Sequence, residues 1–250
     1  MKRKLISLFI FIISVAVLFI ILLSIRNYYK VYGEPQSRYG SGKLSTKSYL
    51  VENTGCLQLH GTFRLNIIQS PQSMVTIKVD ENLIPFIEVK NYSGCLLVQA
   101  LPGFLIKPSQ PMEVIIKTKK FNKLDAKGNI VFDARDLDSK NLILNLSGNS
   151  YGHIEGSAKN MIINATGSSS LHAINFKAQH TTIHASGSAN LSVDSQESLL
   201  VKANGNVKVL YKGTPSLAKQ ISRSVKVLSW KNRKQDDTIQ PTLIETIVGK

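Results

Sequence analysis

The chain has 250 residues, of which 43% are apolar, and its formal net charge is +15 at pH 7. A chain of this length and apolar content can bury a sizeable core in one or two domains. It is therefore neither too small nor too polar to fold. The basic excess favours anionic partners, or it only keeps the chain soluble.

The chain opens with an apolar run from Leu5 to Ile25, interrupted only by serines and preceded by three basic residues at positions 2–4. At about 1.5 Å per residue, a helix of this length spans the roughly 30 Å hydrocarbon layer. It predicts one transmembrane helix, with residues 1–26 as an uncleaved membrane anchor. The alternative is a cleaved signal peptide, but the run is long for one and lacks a small-residue cleavage site.

The positive-inside rule keeps the basic start in the cytoplasm and places the rest of the chain across the membrane. Nucleic acid is not an expected partner in that compartment. Residues 27–44 contain Gly33, Pro35 and Gly40 and few large apolar residues, which is typical of a linker. A folded domain is predicted to begin at residue 45.

The early part of this domain contains strand-like segments joined by proline-containing connections, and we interpret it as opening coils with an N-terminal cap. A separate small β domain is the alternative. The two cysteines of the chain, Cys56 and Cys95, lie in this early part, and each begins a strand-like segment. Strands two coils apart lie about 10 Å apart, too far for the Cα separation below about 7 Å that a disulfide needs. A disulfide therefore requires the early strands to pair in an order that differs from their order along the chain. The alternative is that both thiols are free.

A five-residue phrase then recurs: apolar, polar, apolar, polar, glycine. Its glycines are spaced by 20, 19, 20 and 18 residues. A fixed period near 20 is typical of a solenoid, because one coil cannot bury its apolar face without a neighbour. Glycine suits the corner, where a positive φ is available. The predicted repeat corners are Gly128, Gly148, Gly167, Gly187 and Gly205.

Alternation within each phrase predicts which side chains point inward. The residues four and two before each glycine, such as Leu124 and Ala126, are apolar and predicted to be buried. The residues three and one before it are polar and predicted to face outward. The sequence therefore predicts an all-β fold, a parallel β-helix or β-solenoid with coils of about 18–20 residues over positions 45–216.

The end of the chain is strongly basic. From Ser198 to Gln235 there are nine Lys and Arg and no Asp or Glu. We predict a basic C-terminal cap or tail over residues 217–250, with an ordinary solvated face as the alternative. Anionic glycan or lipid headgroups are the expected ligands. The candidate ligand-binding residues are Lys202, Lys208, Lys212, Lys219, Arg223 and Lys226.

Two histidines are the strongest chemical candidates. His153 and His172 stand five residues after successive corner glycines, and Asp133 holds the same position one coil earlier. Neighbours in one outer column could share a metal ion. The alternative is an ordinary polar column. Since no phosphate-binding loop, nucleophile motif or paired Cys-x-x-Cys occurs, we expect no cofactor and no enzymatic activity.

Corners such as Ser-Gly-Asn and Thr-Gly-Ser, followed by the closing Tyr211, Gly213 and Pro215, resemble the head GIN domain family of auto-transporter adhesins. The resemblance covers about residues 45–215. It implies a β-helical domain of the bacterial cell envelope or surface, and it brings no catalytic residues. Gly152 departs from the pattern, since an apolar residue is expected there.

The resulting prediction is a binding or adhesion protein anchored in the bacterial inner membrane by a single pass, with its domain facing the periplasm or the exterior. A glycan-active enzyme that uses Asp133, His153 and His172 is one alternative. A structural envelope component with a protein partner is another.

Overall fold

The computed structural model describes residues 11, 13–26, 33, 35–52 and 55–232. Most of the described residues lie in β-strands, and two short 3₁₀ helices cover Glu81–Phe86 and Trp230–Asn232. The strands are β1 (Gln36–Tyr39), β2 (Leu44–Leu50), β3 (Cys56–Gln69), β4 (Met74–Asp80), β5 (Ile87–Tyr92), β6 (Cys95–Ala100), β7 (Phe104–Lys107), β8 (Met112–Thr118), β9 (Lys123–Ala203), β10 (Asn206–Lys212), β11 (Ser216–Ile221) and β12 (Lys226–Ser229).

The predicted fold class, a parallel β-helix or β-solenoid preceded by one transmembrane helix, is wrong. The described residues are mostly β-strand, but part of the sheet is antiparallel and no transmembrane helix is found. Residues 13–26 are helical, but no helix within the described residues combines the length and apolar character needed to cross a membrane. Residues 1–10 and 12, which belong to the predicted span, lie outside the described residues. The predicted single-pass localisation in the bacterial inner membrane rested on that helix and is corrected with it.

Residues 18 to 20 positions apart lie side by side in the second half of the chain. β10 runs parallel to β9 with Asn206 opposite Ser188, and β12 runs parallel to β10 with Lys226 opposite Lys208. β11 continues the same offset on β9. We call each such passage of the chain a rung. The predicted boundary between residues 216 and 217 falls inside β11, so parallel pairing continues into the predicted C-terminal cap.

The first half does not follow this parallel repeat, which corrects its interpretation as opening coils. β4 pairs antiparallel with β2 and β8, and β5 pairs antiparallel with β6. The β5–β6 hairpin is closed by Ser93 and Gly94, both at positive φ, as a two-residue hairpin turn of the favoured hand requires. β3 joins the two halves, because it pairs in parallel with β6, β8 and β9.

The core follows the predicted alternation closely. The residue four before each corner glycine is buried on every rung, and so is the residue two before it. Six residues before Gly128 the alternation breaks, because Asn122 is exposed and its neighbour Phe121 is buried instead. The buried column four residues before the corners consists of Leu57, Leu124, Leu144, Ile163, Ile183 and Val201.

The corner glycines stack on one another through their backbones. A Cβ built on Gly167 would lie 2.8 Å from the carbonyl oxygen of Gly148, and one on Gly187 equally close to that of Gly167. All the predicted corners have φ between +84° and +120°, where a side chain is strained. The column begins one rung earlier than predicted, since Gly61 lies opposite Gly128.

Gly152 has a packing reason. A Cβ at this position would overlap the buried ring of Phe132 on the preceding rung. The aromatic ring therefore fills the space that an apolar side chain at position 152 would otherwise take, and the departure from the repeat pattern is compensated within the core.

Cys56 and Cys95 form a disulfide, with their Cα atoms 4.6 Å apart. The bridge is possible because β3 and β6 are direct neighbours, with Leu57 opposite Leu96. The early strands thus pair in an order that differs from their order along the chain, which is the arrangement that a disulfide required. The alternative of two free thiols is wrong.

Inward and outward faces can be tested with adjacent substitutions. Ala165→Asp places a carboxylate in a fully buried position and should lower the free energy of unfolding by at least about 3 kcal/mol, since a buried charge has no partner there. Thr166→Asp, on the exposed neighbour, should change it by less than about 0.5 kcal/mol. Urea denaturation measures both. Equal losses would contradict the assignment of faces.

The disulfide should stabilise the first half of the domain. Replacing both Cys56 and Cys95 with serine releases a loop closed over a sequence separation of 39 residues, for which chain entropy gives a loss of about 4 kcal/mol. Thermal melts of the double variant and of the native protein under oxidising and reducing conditions check this. A native protein whose melting temperature ignores the reductant, with free thiols detected, would contradict it.

Candidate functional site

A groove of about 890 Å³ runs along the outer surface just after the corner glycines. We call it the corner groove. Its walls are two columns of outward side chains, one and three residues after each corner, and its floor includes buried residues such as Ile130 and Ala189. The first column is Thr62, Asn129, Asn149, Ser168, Ser188 and Asn206, and the second is Arg64, Val131, Tyr151, Ser170, Asn190 and Lys208.

The rungs hold these columns in register. Thr62 lies opposite Asn129, and the Asn149 Nδ2 donates a hydrogen bond to Asn129 Oδ1 at 3.0 Å. At the far end Asn206 lies opposite Ser188. Hydroxyl and amide groups therefore repeat along the groove at the spacing of neighbouring strands, about 4.8 Å.

Tyr151 stands near the middle of the groove and is half-buried. Burial raises the pKa of its phenol above the ordinary value, because a phenolate would be poorly solvated there. The side chain thus presents an aromatic face and a neutral hydroxyl to the groove. Beside it Ser150 lines the groove, and its Oγ is buried without a hydrogen-bond partner among the described residues.

Charge lies at the two ends of the corner groove. Arg64 lines one end and Lys208 the other, and the residues lining the groove in the described structure include no Asp or Glu. The column of Lys208 continues to Lys226 on β12, which lies directly opposite it in the parallel pairing. The groove therefore opens towards two neighbouring lysines.

The other predicted ligand-binding residues are spread over the last rungs. Lys202 lines a second groove on the opposite side of the glycine column. Lys212 Nζ lies 3.5 Å from an oxygen of the buried Asp194. Lys219 on β11 and Arg223 after it are exposed. The structure brings Lys208 and Lys226 together, and it engages Lys212 in a separate ion pair.

The predicted histidine column forms as expected in position. His153 Nδ1 lies 3.1 Å from Asp133 Oδ1, and the rings of His153 and His172 stack with centroids 5.8 Å apart. His172 Nδ1 lies 3.1 Å from Ser192 Oγ, and Asp133 also pairs with Arg135. Asp133, His153, His172 and Ser192 thus make a continuous polar column across successive rungs.

This column does not assemble a metal centre. Within the part of the chain that the structure describes, no three His, Cys, Asp or Glu side chains are grouped so that they could hold a metal ion. Asp133 is occupied by Arg135 and His153, and the two imidazoles face each other as stacked rings. We therefore propose no metal at Asp133, His153 and His172.

Two features of the site escaped the sequence analysis. Gly61 ends the same phrase as the later corners, Leu57-Gln58-Leu59-His60-Gly61, so its signal was present but lay in the irregular half. The corner groove lies after the glycines, whereas the predicted inward and outward columns lie before them. Its signal in the sequence is the Asn, Ser or Thr that directly follows each corner glycine.

The closing motif sits at a second close backbone approach. Gly213 has φ +95°, and a Cβ there would overlap the carbonyl oxygen of Ser195. Tyr211 packs against the core from a partly buried position, and Pro215 precedes β11. The motif thus ends β10 and turns the chain into the last rung.

A family model described as "Putative auto-transporter adhesin, head GIN domain" matches residues 55–215. The matched range contains all six corner glycines and ends at Pro215 of the closing motif. No curated protein matches the chain.

One of the solved structures that resemble this chain shares its fold. A protein from Bacteroides fragilis NCTC 9343, described as a "putative adhesin", has a TM-score of 0.61 and 18% identity, covering 77% of this chain and 98% of its own. A "putative adhesin" from Parabacteroides merdae ATCC 43184 has a TM-score of 0.45 and 16% identity, covering 78% and 99%. A "putative lipid binding protein" from Parabacteroides distasonis ATCC 8503 has 0.45 and 13%, with the same coverage. At such identities the first of these shows a shared fold alone.

The environment of Tyr151 can be measured directly. Because burial raises its pKa, Tyr151 should ionise at higher pH than a free tyrosine amide in the same buffer. A difference absorbance titration of Tyr151→Phe against the native protein isolates this phenol. If it ionises at or below the pH of the free tyrosine amide, Tyr151 is not half-buried in the groove.

Proposed function

This chain belongs to the head GIN domain family, and on that premise we propose that it is a non-enzymatic, adhesion-type protein that binds an anionic polysaccharide of the cell envelope. The binding surface comprises the lysines at the open end of the corner groove and the exposed cations of the last rung. The adhesin description of the family supports the class of function.

The observation that carries the proposal is the register of β10 and β12. It sets Lys208 opposite Lys226, so two cations are neighbours at the mouth of a groove whose described lining contains no acidic side chain. Exposed Lys219 and Arg223 extend the positive surface on the same rung. Neighbouring like charges raise the local concentration of polyanions and speed their association.

The geometry favours a polymer over a lipid surface. The two lysines continue a column that runs back along the corner groove to Arg64, so these three cations lie on one line, with uncharged residues between Arg64 and Lys208. A linear polyanion can follow such a line, whereas a planar bilayer would reach only the last rung. Binding to lipid vesicles is accordingly a competing outcome of the test.

Electrostatic binding predicts a clear dependence on charge and salt. Immobilised polygalacturonate should retain the native protein at low salt and release it in about 1 M salt, where the Debye length is about 3 Å. The triple variant with Lys219, Arg223 and Lys226 changed to Gln should bind at least about tenfold more weakly, a loss of about 1.4 kcal/mol.

A matched control removes the same charge elsewhere. Lys140, Lys159 and Lys177 are exposed on other rungs, and changing all three to Gln should leave the affinity within about threefold, less than 1 kcal/mol. Equal losses in both triple variants would show non-specific attraction and contradict the site. Salt-insensitive binding, or binding to phosphatidylglycerol vesicles but not to polygalacturonate, would contradict the proposed ligand.

A further inference from the structure

We propose that the corner groove is a binding site for a linear oligosaccharide, with Tyr151 as the platform on which one sugar ring stacks. This inference deepens the proposed function, and it rests on it only in taking the ligand to be a glycan. It assigns the sugar-contacting part of the surface to uncharged groups that lie away from the basic end.

The groove has the length and shape for a chain of several sugars. Its walls cross six rungs, from Thr62 to Asn206, and five steps of about 4.8 Å make it roughly 24 Å long. Its volume of about 890 Å³ lies near the upper end of the range usual for small-molecule sites, about 300–1,000 Å³. An extended ligand lying across the strands would contact one rung after another.

The chemistry of the walls fits sugar hydroxyl groups. Each Asn offers two N–H donors and a carbonyl acceptor, and each Ser or Thr offers a donor and an acceptor. Asn149 uses one N–H on Asn129, which orients both amides and leaves further hydrogen-bonding capacity. Such groups repeat on every rung and can bond to the hydroxyls of successive sugars.

Tyr151 supplies the apolar contact that a polar wall lacks. It is the tyrosine of the groove lining, and it lies between Val131 and Ser170 in its column. Ser170 is a shorter side chain than Tyr151, and Tyr151 is only half-buried, so part of its ring surface is accessible from the groove. An amphipathic aromatic ring can cover the apolar face of a sugar while its hydroxyl remains in the polar groove.

A peptide fits this groove less well. Peptides add to sheets through free strand edges or place side chains in apolar pockets. The strands under the groove already pair in parallel with neighbours, as β9 does with β3 and with β10. The backbone therefore offers no free edge there, and the outward walls are mostly hydroxyl and amide groups.

The test is a binding screen on immobilised linear oligosaccharides, uncharged and acidic, in about 1 M salt, where the basic end is screened. The native protein should bind at least one uncharged oligosaccharide. Tyr151→Ala should weaken that binding at least about tenfold, whereas Tyr151→Phe, which keeps the ring, should retain most of it. Tyr92→Ala, an exposed tyrosine on β5, should have no effect.

A second variant guards against misfolding of Tyr151→Ala. Ser168→Trp places a large ring on an exposed wall residue and should block binding while the melting temperature stays native. Ser186→Trp, on the other side of the same glycine column, should bind normally. Retained binding in Tyr151→Ala and Ser168→Trp, or no oligosaccharide bound by the native protein, would overturn the inference.

The two proposals fail separately. Salt-sensitive binding of polygalacturonate, together with uncharged oligosaccharide binding that survives Tyr151→Ala and Ser168→Trp, would overturn the groove inference and leave the basic end intact. Uncharged oligosaccharide binding that these variants abolish, together with polygalacturonate binding that does not respond to salt, would overturn the basic end and leave the groove intact.

Discussion

The close stacking of glycine backbones at the corners is the constraint on which the rest of this structure depends. Gly148, Gly167 and Gly187 each approach the carbonyl of the glycine below more closely than a Cβ would allow, and all have positive φ. This contact fixes the register of the rungs from Gly61 to Gly205. Because side chains alternate along a strand, the same register fixes which residues are buried and which line the surface.

Register explains both the core and the candidate site. The buried column from Leu57 to Val201 and the outer columns from Thr62 to Asn206 are consequences of one stacking arrangement. It aligns hydroxyl and amide side chains into a groove, and it sets Lys208 beside Lys226 at the groove's end. In the proposed function, binding comes from small polar residues repeated along the sheet rather than from a catalytic cluster.

Much of the second half could be predicted from the sequence, because its period and alternation are local signals. The buried positions, the glycine corners and the neighbourhood of His153 and His172 all follow from counting residues. The antiparallel pairing of β2, β4 and β5 could not be predicted, since hairpins and a 20-residue repeat leave similar short apolar runs. Gly152 needed Phe132 to explain it, and that contact joins different rungs. A groove forms only where side chains of several rungs lie side by side, so no single residue of the sequence indicates it.

The most direct test of the central claim is a hydrogen–deuterium exchange footprint of the protein with a linear oligogalacturonate. We expect the ligand to slow amide exchange at residues 149–151, 168–170 and 188–190, on the groove side of the corner glycines, and at the last rung around Lys226. Protection confined to residues 164–166 and 184–186, on the opposite side of the glycine column, or no protection at saturating ligand, would contradict it.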